Sequence, residues 1–401
     1  MKTIPDKVYE QLSDYKKPEI IVGISSYNND STISYVTEIA ARGITEFFHG
    51  NGLIIDSDGG SKDNTIDEFF STDTGNVEKL AFKYEGISGK GSAMRAIMEV
   101  AKILRAPVTL FLDADLRSVK PWWIERLGKP IQRGSTSYIT PYYVRHKYDG
   151  TITNNICYPL TTALYGIDIR QPIGGDFGVG LDLIDEYLSK PSEIWKSDIS
   201  RFGIDIWMTI TAINVGKKPP MQAALGAKIH DAKDPGKHLG PMFEQVVGTL
   251  FGLSEEYFDN WSKVKGMRKA LLYGEIPEVT PEPLHVDLDN MKDNARLGLK
   301  KNQELTDRLL PKEKQDIIFE VTDTGTLDIE NWVDLVYSLM IKYKKVSERE
   351  NVISLLLPLY FARVADFVEK TEGISSKEAE KYVKETVEYF TEKKAELIKR
   401  W

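Results

Sequence analysis

The chain has 401 residues, 41% of them hydrophobic and 28% charged, which places it among folded globular proteins with room for one large and one smaller domain. Its net charge of −8 argues against a nucleic-acid binder with a broad basic surface, while leaving room for a local basic pocket for a phosphorylated small molecule. The single cysteine, Cys157, excludes an intramolecular disulfide framework and suits a reducing compartment.

The opening stretch, MKTIPDKVYEQLSDYKK, is polar and lacks the apolar core of a signal peptide. The most tempting apolar run, VISLLLPLYFA, is short and contains Pro358, so no membrane span and a cytoplasmic location are expected. Downstream, β-rich runs alternate with helical spacing. EIIVGIS (19–25) reads as a strand, and the helix in STISYVTEIAARG is expected to end at Gly43. GLIIDS (52–57) is a second strand, followed by the loop DGGSKDNT and a short helix from about Thr65. LAFKY (80–84) and VTLFLD (108–113) are further strands, separated by a glycine loop that becomes a helix. This alternation predicts right-handed crossovers and a mainly parallel sheet with helices on both faces. Ligands of such sheets sit beyond the carboxyl ends of the strands. Ser25, Ser57 and Asp113 fall at those ends and are expected to face one crevice.

From about residue 240 the pattern turns helical. Trp332, Leu335, Val336, Leu339, Met340 and Tyr343 form one stripe, and Ser375 and Glu378 have capping-box spacing before a long charged helix. The expected organisation is a catalytic domain over 1–245 and an all-helical region over 246–401 that serves as a scaffold or a homo-oligomerisation element (dimer or tetramer). Residues 274–300, with Pro277, Pro281 and Pro283, read as a connecting arm.

Four features carry chemistry. In VTLFLDADL, Asp113 and Asp115 leave a buried strand one residue apart, and such oxygen ligands suit Mg²⁺ or Mn²⁺ bridging to phosphates. An aspartate capping the next turn is the plainer explanation. Gly89-Lys90-Gly91 opens a helix, where backbone N–H groups and a lysine can form an anion site; a flexible loop with an exposed lysine is the alternative. His230 follows the apolar run AALGAKI and is either structural or a further metal ligand. In QPIGGDFGVG, Gly174 and Gly175 allow a backbone to approach a ligand, and Asp205 in FGIDIW is a helix-start residue or a functional acid in apolar company.

The ordered set SSYNND, IIDSDGGSKDNT, GKG, LFLDADL, PIGGD, FGID and a late histidine resembles the retaining, nucleotide-sugar-dependent glycosyltransferases of the GT-A (Rossmann-like) fold. Within them it is similar to the hexosylglycerate synthases, the mannosylglycerate synthase and glucosyl-3-phosphoglycerate synthase type, over about residues 18–245. The resemblance implies that Asp113 meets the donor's ribose or sugar, that Asp115 and His230 bind a divalent metal (Mg²⁺ or Mn²⁺) on the diphosphate, and that Lys90 contacts the donor. It implies a nucleoside pocket lined by Ser25, Asn29 and Ser57, although the second family typically has proline and glutamate in place of Ser25 and Asn29. Ile173 and Gly174 match the loop that approaches the transferred sugar, and Asp205 matches an acidic position beside it. Arg145, Asp149 and Thr153 match positions that hold the glycerate carboxylate and hydroxyls. Relatives that use phosphoglycerate carry an arginine in a G-R-x-T stretch that here is Gly150-Thr151-Ile152-Thr153. The implied reaction is transfer of mannose or glucose to D-glycerate, giving an α-hexosylglycerate compatible solute, with 3-phosphoglycerate as the alternative acceptor. A sugar-phosphate nucleotidyltransferase would want a glycine-rich phosphate loop after the first strand, where SSYNND stands. A scaffold protein without activity would be expected to have lost Asp115, Lys90 or His230.

Overall fold

The structure is a computed structural model that describes residues 2–230 and 239–401. The chain forms two units. The first comprises residues 1–144, 169–231 and 270–281; the second comprises 145–168, 232–269 and 282–401. Residues 145–168, which follow directly on a strand of the first unit, therefore belong to the second.

Ten strands run through the described chain: β1 (Ile20–Ser26), β2 (Gly52–Asp58), β3 (Glu78–Lys83), β4 (Val108–Asp113), β5 (Tyr138–Val144), β6 (Ile167–Asp168), β7 (Phe177–Gly180), β8 (Met221–Ala227), β9 (Arg268–Lys269) and β10 (Leu272–Tyr273). In the first unit eight of them form one sheet in the order β10-β8-β5-β7-β4-β1-β2-β3. Every pairing is parallel except those of β7, which runs antiparallel between β4 and β5. The mainly parallel α/β class expected from the alternation is thus the observed one. β1 is paired on both sides and Ile20, Ile21, Val22 and Ile24 are fully buried, as a strand covered on both faces requires. Val36, Ile44, Trp123 and Leu127 from the helices Ile33–Phe48 and Pro121–Gln132 join β1, β2 and β4 in the core.

The helix that follows β1 does not stop at Gly43. Gly43 lies where the helix meets Pro121 and Ile124, and its missing side chain lets them pack there. The helix runs on to Phe48 and ends at His49 in the left-handed region, φ 54°.

Among the described residues, the regular structure of the second unit is helical apart from the two-stranded parallel pair of β6 and β9. The stripe on helix Ile329–Lys345 is buried from Trp332 to Met340 while Tyr343 is half-buried, and Trp332 Nε1 donates to the Asn155 carbonyl at 2.8 Å. The capping box is present: Glu378 N–H donates to Ser375 Oγ, and Ser375 N–H to the Glu378 carboxylate. The expected connecting arm is irregular only in its first half, because Leu288–Lys301 is a helix opened by the Asp287 side chain. VISLLLPLYFA lies in the helix Arg349–Thr371, which accommodates Pro358 and is long and apolar enough to cross a membrane by length and composition. Most of that helix is buried within the protein, and it carries a buried Arg363–Asp366 ion pair, as a core helix can.

Candidate functional site

The sheet order reverses between β4 and β1, the point at which open α/β sheets bind ligands. Register places the three expected strand-end residues level with one another. Ser25 pairs with Ser57 on β2 and with Asp113 on β4. Residues in register on parallel strands share a face, so these side chains form one row at the carboxyl edge. Ser57 is buried with no hydrogen-bond partner for its hydroxyl among the described residues.

The alternate positions face the other way and form a second group. Ser26 Oγ donates to Asp56 Oδ1 at 2.5 Å, and Asp58 Oδ1 accepts the N–H groups of Gly60 and Ser61. Burial pushes the Asp56 carboxyl up to about 7, with the neighbouring Asp58 adding to it and the Ser26 bond opposing. The loops after β1 and β2 are stitched together: Asn28 N–H donates to Ser61 Oγ and Asn29 N–H to Thr65 Oγ1, both at 2.8 Å. The Asn29 side-chain carbonyl is occupied by the Tyr27 N–H.

Asp113 lies at the centre of a partly buried chain of charges. Lys90 Nζ is 2.8 Å from Asp113 Oδ1 and 3.2 Å from Asp205 Oδ2. Lys228 Nζ is 2.6 Å from Asp113 Oδ2 and 2.9 Å from Asp176 Oδ2. Three carboxylates are thus threaded by two ammonium groups, in the order Asp205, Lys90, Asp113, Lys228, Asp176. Burial works to raise the Asp113 carboxyl, but the Lys228 and Lys90 ammoniums outweigh it and hold Asp113 well below the usual carboxylate range. Burial likewise works to lower Lys90, and Asp113 and Asp205 reverse this. Asp205 is raised by burial, with Lys90 opposing, and its Oδ1 is buried without a hydrogen-bond partner among the described residues. Asp205 lies in the first turn of helix Ile204–Val215 and is also a desolvated acid, so the helix-start position and the apolar surroundings coexist.

The Gly-Lys-Gly motif differs from both readings of the sequence. Lys90 is not exposed, and its ammonium is engaged by two carboxylates. The Gly91 N–H donates to the Arg201 carbonyl at 3.2 Å, and a Cβ at Gly91 would overlap the Ile199 carbonyl. The second glycine lets the 199–201 segment lie against the helix start, which brings Asp205 to Lys90.

Ile173 and Gly174 lie in a turn fixed from several sides. Thr209 Oγ1 donates to the Pro172 carbonyl, and the Gln171 amide exchanges two hydrogen bonds with the Tyr143 backbone. Gly175 has φ +90°, and a Cβ there would overlap Asp113 Oδ2. Only glycine suits both the backbone conformation and the approach of that carboxylate.

Asp115 is half-buried and, among the described residues, makes no hydrogen bond or ion pair. The turn that carries it is bound to the end of β8. Arg117 N–H donates to the Ile229 carbonyl, Arg117 Nη2 to the His230 carbonyl, and Ile229 N–H to Ser118 Oγ, at 2.9, 3.2 and 2.9 Å. Asp115 and His230 therefore stand on two tethered segments. Among the described residues no group of three or more His, Cys, Asp or Glu side chains is arranged to hold a metal. An unpartnered carboxylate and an imidazole fit a divalent ion whose remaining ligands come from phosphate and water.

In the second unit, Arg145 and Asp149 hold each other through two hydrogen bonds, Nε to Oδ2 at 2.6 Å and Nη2 to Oδ1 at 2.7 Å. Thr153 is buried in the following helical turn. Lys147 closes the end of helix Arg349–Thr371: its ammonium donates to the Thr371 and Ile374 carbonyls at 2.6 and 2.7 Å. His146 is lowered by burial and by the neighbouring Lys147, which favours the neutral ring. Thr151 is fully buried, with its hydroxyl 2.6 Å from the Tyr360 hydroxyl.

Sequence reading missed Lys228 and Asp176. Their only local signals were an aspartate after two glycines and a lysine closing an apolar run two residues before His230.

No protein-family model and no curated protein matches the chain. Among solved structures, the chain is similar to several of glucosyl-3-phosphoglycerate synthase. Glucosyl-3-phosphoglycerate synthase from Mycobacterium tuberculosis, in complex with Mn²⁺, uridine diphosphate and phosphoglyceric acid, is similar over 61% of this chain and 80% of that one, at 21% identity and a TM-score of 0.46. Its complex with Mn²⁺, uridine diphosphate and glucosyl-3-phosphoglycerate gives 63%, 86%, 21% and 0.47. Its complex with phosphoglyceric acid gives 61%, 82%, 22% and 0.47.

Proposed function

We propose that the protein is a retaining GT-A hexosyltransferase that moves mannose or glucose from a nucleoside-diphosphate sugar to D-glycerate in the cytoplasm, and that its helical region is a scaffold or homo-oligomerisation element. The observation that carries this reading is the row Ser57, Ser25 and Asp113 at the reversal of the sheet, joined to the charge chain ending in the free oxygen of Asp205. Asp115 and His230 would hold the divalent metal, which when bound neutralises charge on the donor diphosphate. Ser25, Asn29 and Ser57 would face the nucleoside, and Asp113, fixed between two ammoniums, accepts hydrogen bonds from donor hydroxyls. Lys90 holds Asp113 and Asp205 in place and lends positive potential beside the departing phosphate.

In the reaction the bond from the anomeric carbon to the phosphate oxygen breaks and its electron pair leaves with the phosphate. The acceptor hydroxyl oxygen bonds to that carbon from the same face, and its proton passes to the departing phosphate oxygen. Asp205 orients a sugar hydroxyl through Oδ1 and stabilises the positive charge that develops on the ring. Arg145 suits a bidentate grip on the acceptor carboxylate, with Asp149 and Thr153 placing hydroxyls.

Three features favour glycerate over 3-phosphoglycerate. The position at which phosphoglycerate-using relatives carry arginine is here Thr151, buried against Tyr360. The Lys147 ammonium is occupied by backbone carbonyls, and His146 favours its neutral form. The test is a screen of GDP-, UDP- and ADP-linked mannose and glucose against both acceptors, with Mg²⁺ or Mn²⁺. Release of nucleoside diphosphate with an α-hexosylglycerate is expected; pyrophosphate release from a nucleoside triphosphate would instead establish a nucleotidyltransferase.

A further inference from the structure

Lys228 stands two residues before His230, and its side chain is 5% exposed. Its ammonium has three N–H donors and meets three acceptors: Asp113 Oδ2 at 2.6 Å, Asp176 Oδ2 at 2.9 Å and the Gly174 carbonyl at 2.9 Å. These acceptors belong to different segments, the end of β4 and the turn that precedes β7. Asp176 is itself fully engaged and completely buried. Its Oδ1 accepts the Asp113 N–H at 2.9 Å, and its Oδ2 accepts the Tyr143 hydroxyl as well as Lys228. The ladder between β4 and β7 ends at Phe111 and Phe177, so the bond from the Asp113 N–H to Asp176 continues it through a side chain. Asp176 thus accepts three hydrogen bonds, and Lys228 spends its three N–H donors on three acceptors. Both are built to hold other groups still.

We propose that Lys228 is a positioning residue, whose ammonium pins the Ile173–Gly175 turn and the Asp113 carboxylate to each other so that both meet the donor sugar in one geometry. The inference rests on the transferase reading for its substrate but on this cluster alone for its mechanics. A tetrahedral ammonium can satisfy three acceptors set around it, whereas the planar guanidinium of arginine supplies the charge with a different donor geometry. Lys228→Met leaves Asp113 and Asp176 as neighbouring carboxylates without their shared cation. Replacing Asp176 by asparagine in the same chain removes one of those charges and keeps an acceptor for the Asp113 N–H.

Steady-state kinetics and hydrogen exchange test this together. Lys228→Met is expected to lower kcat by about 100-fold with donor KM changed by less than about threefold, the split for a group that acts on geometry at the reacting centre. Lys228→Arg should remain at least about tenfold impaired, and Lys228→Met/Asp176→Asn should recover about tenfold over Lys228→Met. Amide exchange over residues 172–177 should rise about tenfold or more in Lys228→Met while the core strands stay protected. A fully active Lys228→Arg, or a loss confined to donor KM, would overturn the positioning role. If the wild-type protein transfers no sugar, the functional reading fails by itself, and the exchange experiment still decides the mechanical claim: unchanged protection of 172–177 refutes it. Global unfolding of Lys228→Met would show as lost protection in the core strands, and the milder arginine variant then carries the kinetic test.

Discussion

Two charged clusters in this molecule are built on opposite plans. At the sheet edge of the first unit, five charges from well-separated stretches of chain are cross-linked, and each ammonium bridges at least two carboxylates. In the second unit, Arg145 and Asp149 are four residues apart and pair with each other within one loop. The first plan places charges before any ligand arrives, as a site that stabilises a developing charge requires. The second is local, so a carboxylate ligand can compete for the guanidinium without rearranging a core. Under the proposed function the first cluster would serve the donor and the second the acceptor.

Predictions follow that contrast. The largest loss should come from Asp115→Ala or His230→Ala, with kcat/KM falling by at least about 100-fold, and Mn²⁺ binding measured by electron paramagnetic resonance weakening in parallel. Full activity in either variant would remove those residues from the metal site. Asp205→Asn should reduce kcat by about 100-fold with both KM values nearly unchanged, because it alters a group that matters most when charge develops. Arg145→Ala should act through the acceptor: KM for glycerate rises by about 30-fold, near the 2 kcal/mol of a charge-assisted bond, and donor affinity by calorimetry stays the same. Equal damage to donor binding would break the contrast between the two clusters.

The remaining expected effect concerns stability rather than catalysis. Asp56 has a native value of about 7 against an ordinary 3.8. Below the ordinary value both folded and unfolded chains are protonated. Between the two values the unfolded chain ionises first, so stability falls as pH rises, by at most about 4 kcal/mol. Asp56→Asn should therefore flatten the decline of Tm between about pH 4 and 7 and gain most above pH 7. A wild-type Tm that rises over that range would contradict the assignment.

What was legible in the sequence was local. β4 was readable from VTLFLD because a strand buried on both faces is continuously apolar, and its range matches the observed Val108–Asp113. Ser375 and Glu378 announced their capping box by spacing alone. Gly43 misled because glycine is a frequent helix terminator, and only the crossing of Pro121 and Ile124 explains its place inside the helix. Lys228 and Asp176 were invisible for a different reason. Lys228 lies 115 residues from Asp113 and 52 from Asp176, and no local pattern encodes an ion pair that the sheet order creates. The Gly-Lys-Gly motif was noticed, but its partners at 199–205 could not be read from it.

The most direct measurement is the product formed when the purified protein is given a sugar nucleotide, Mg²⁺ or Mn²⁺, and equal concentrations of D-glycerate and 3-phosphoglycerate, followed by nuclear magnetic resonance. The account predicts an α-linked hexosylglycerate as the main product. A β-linked product, a clear preference for 3-phosphoglycerate, or no transfer from any of the six donors would contradict it.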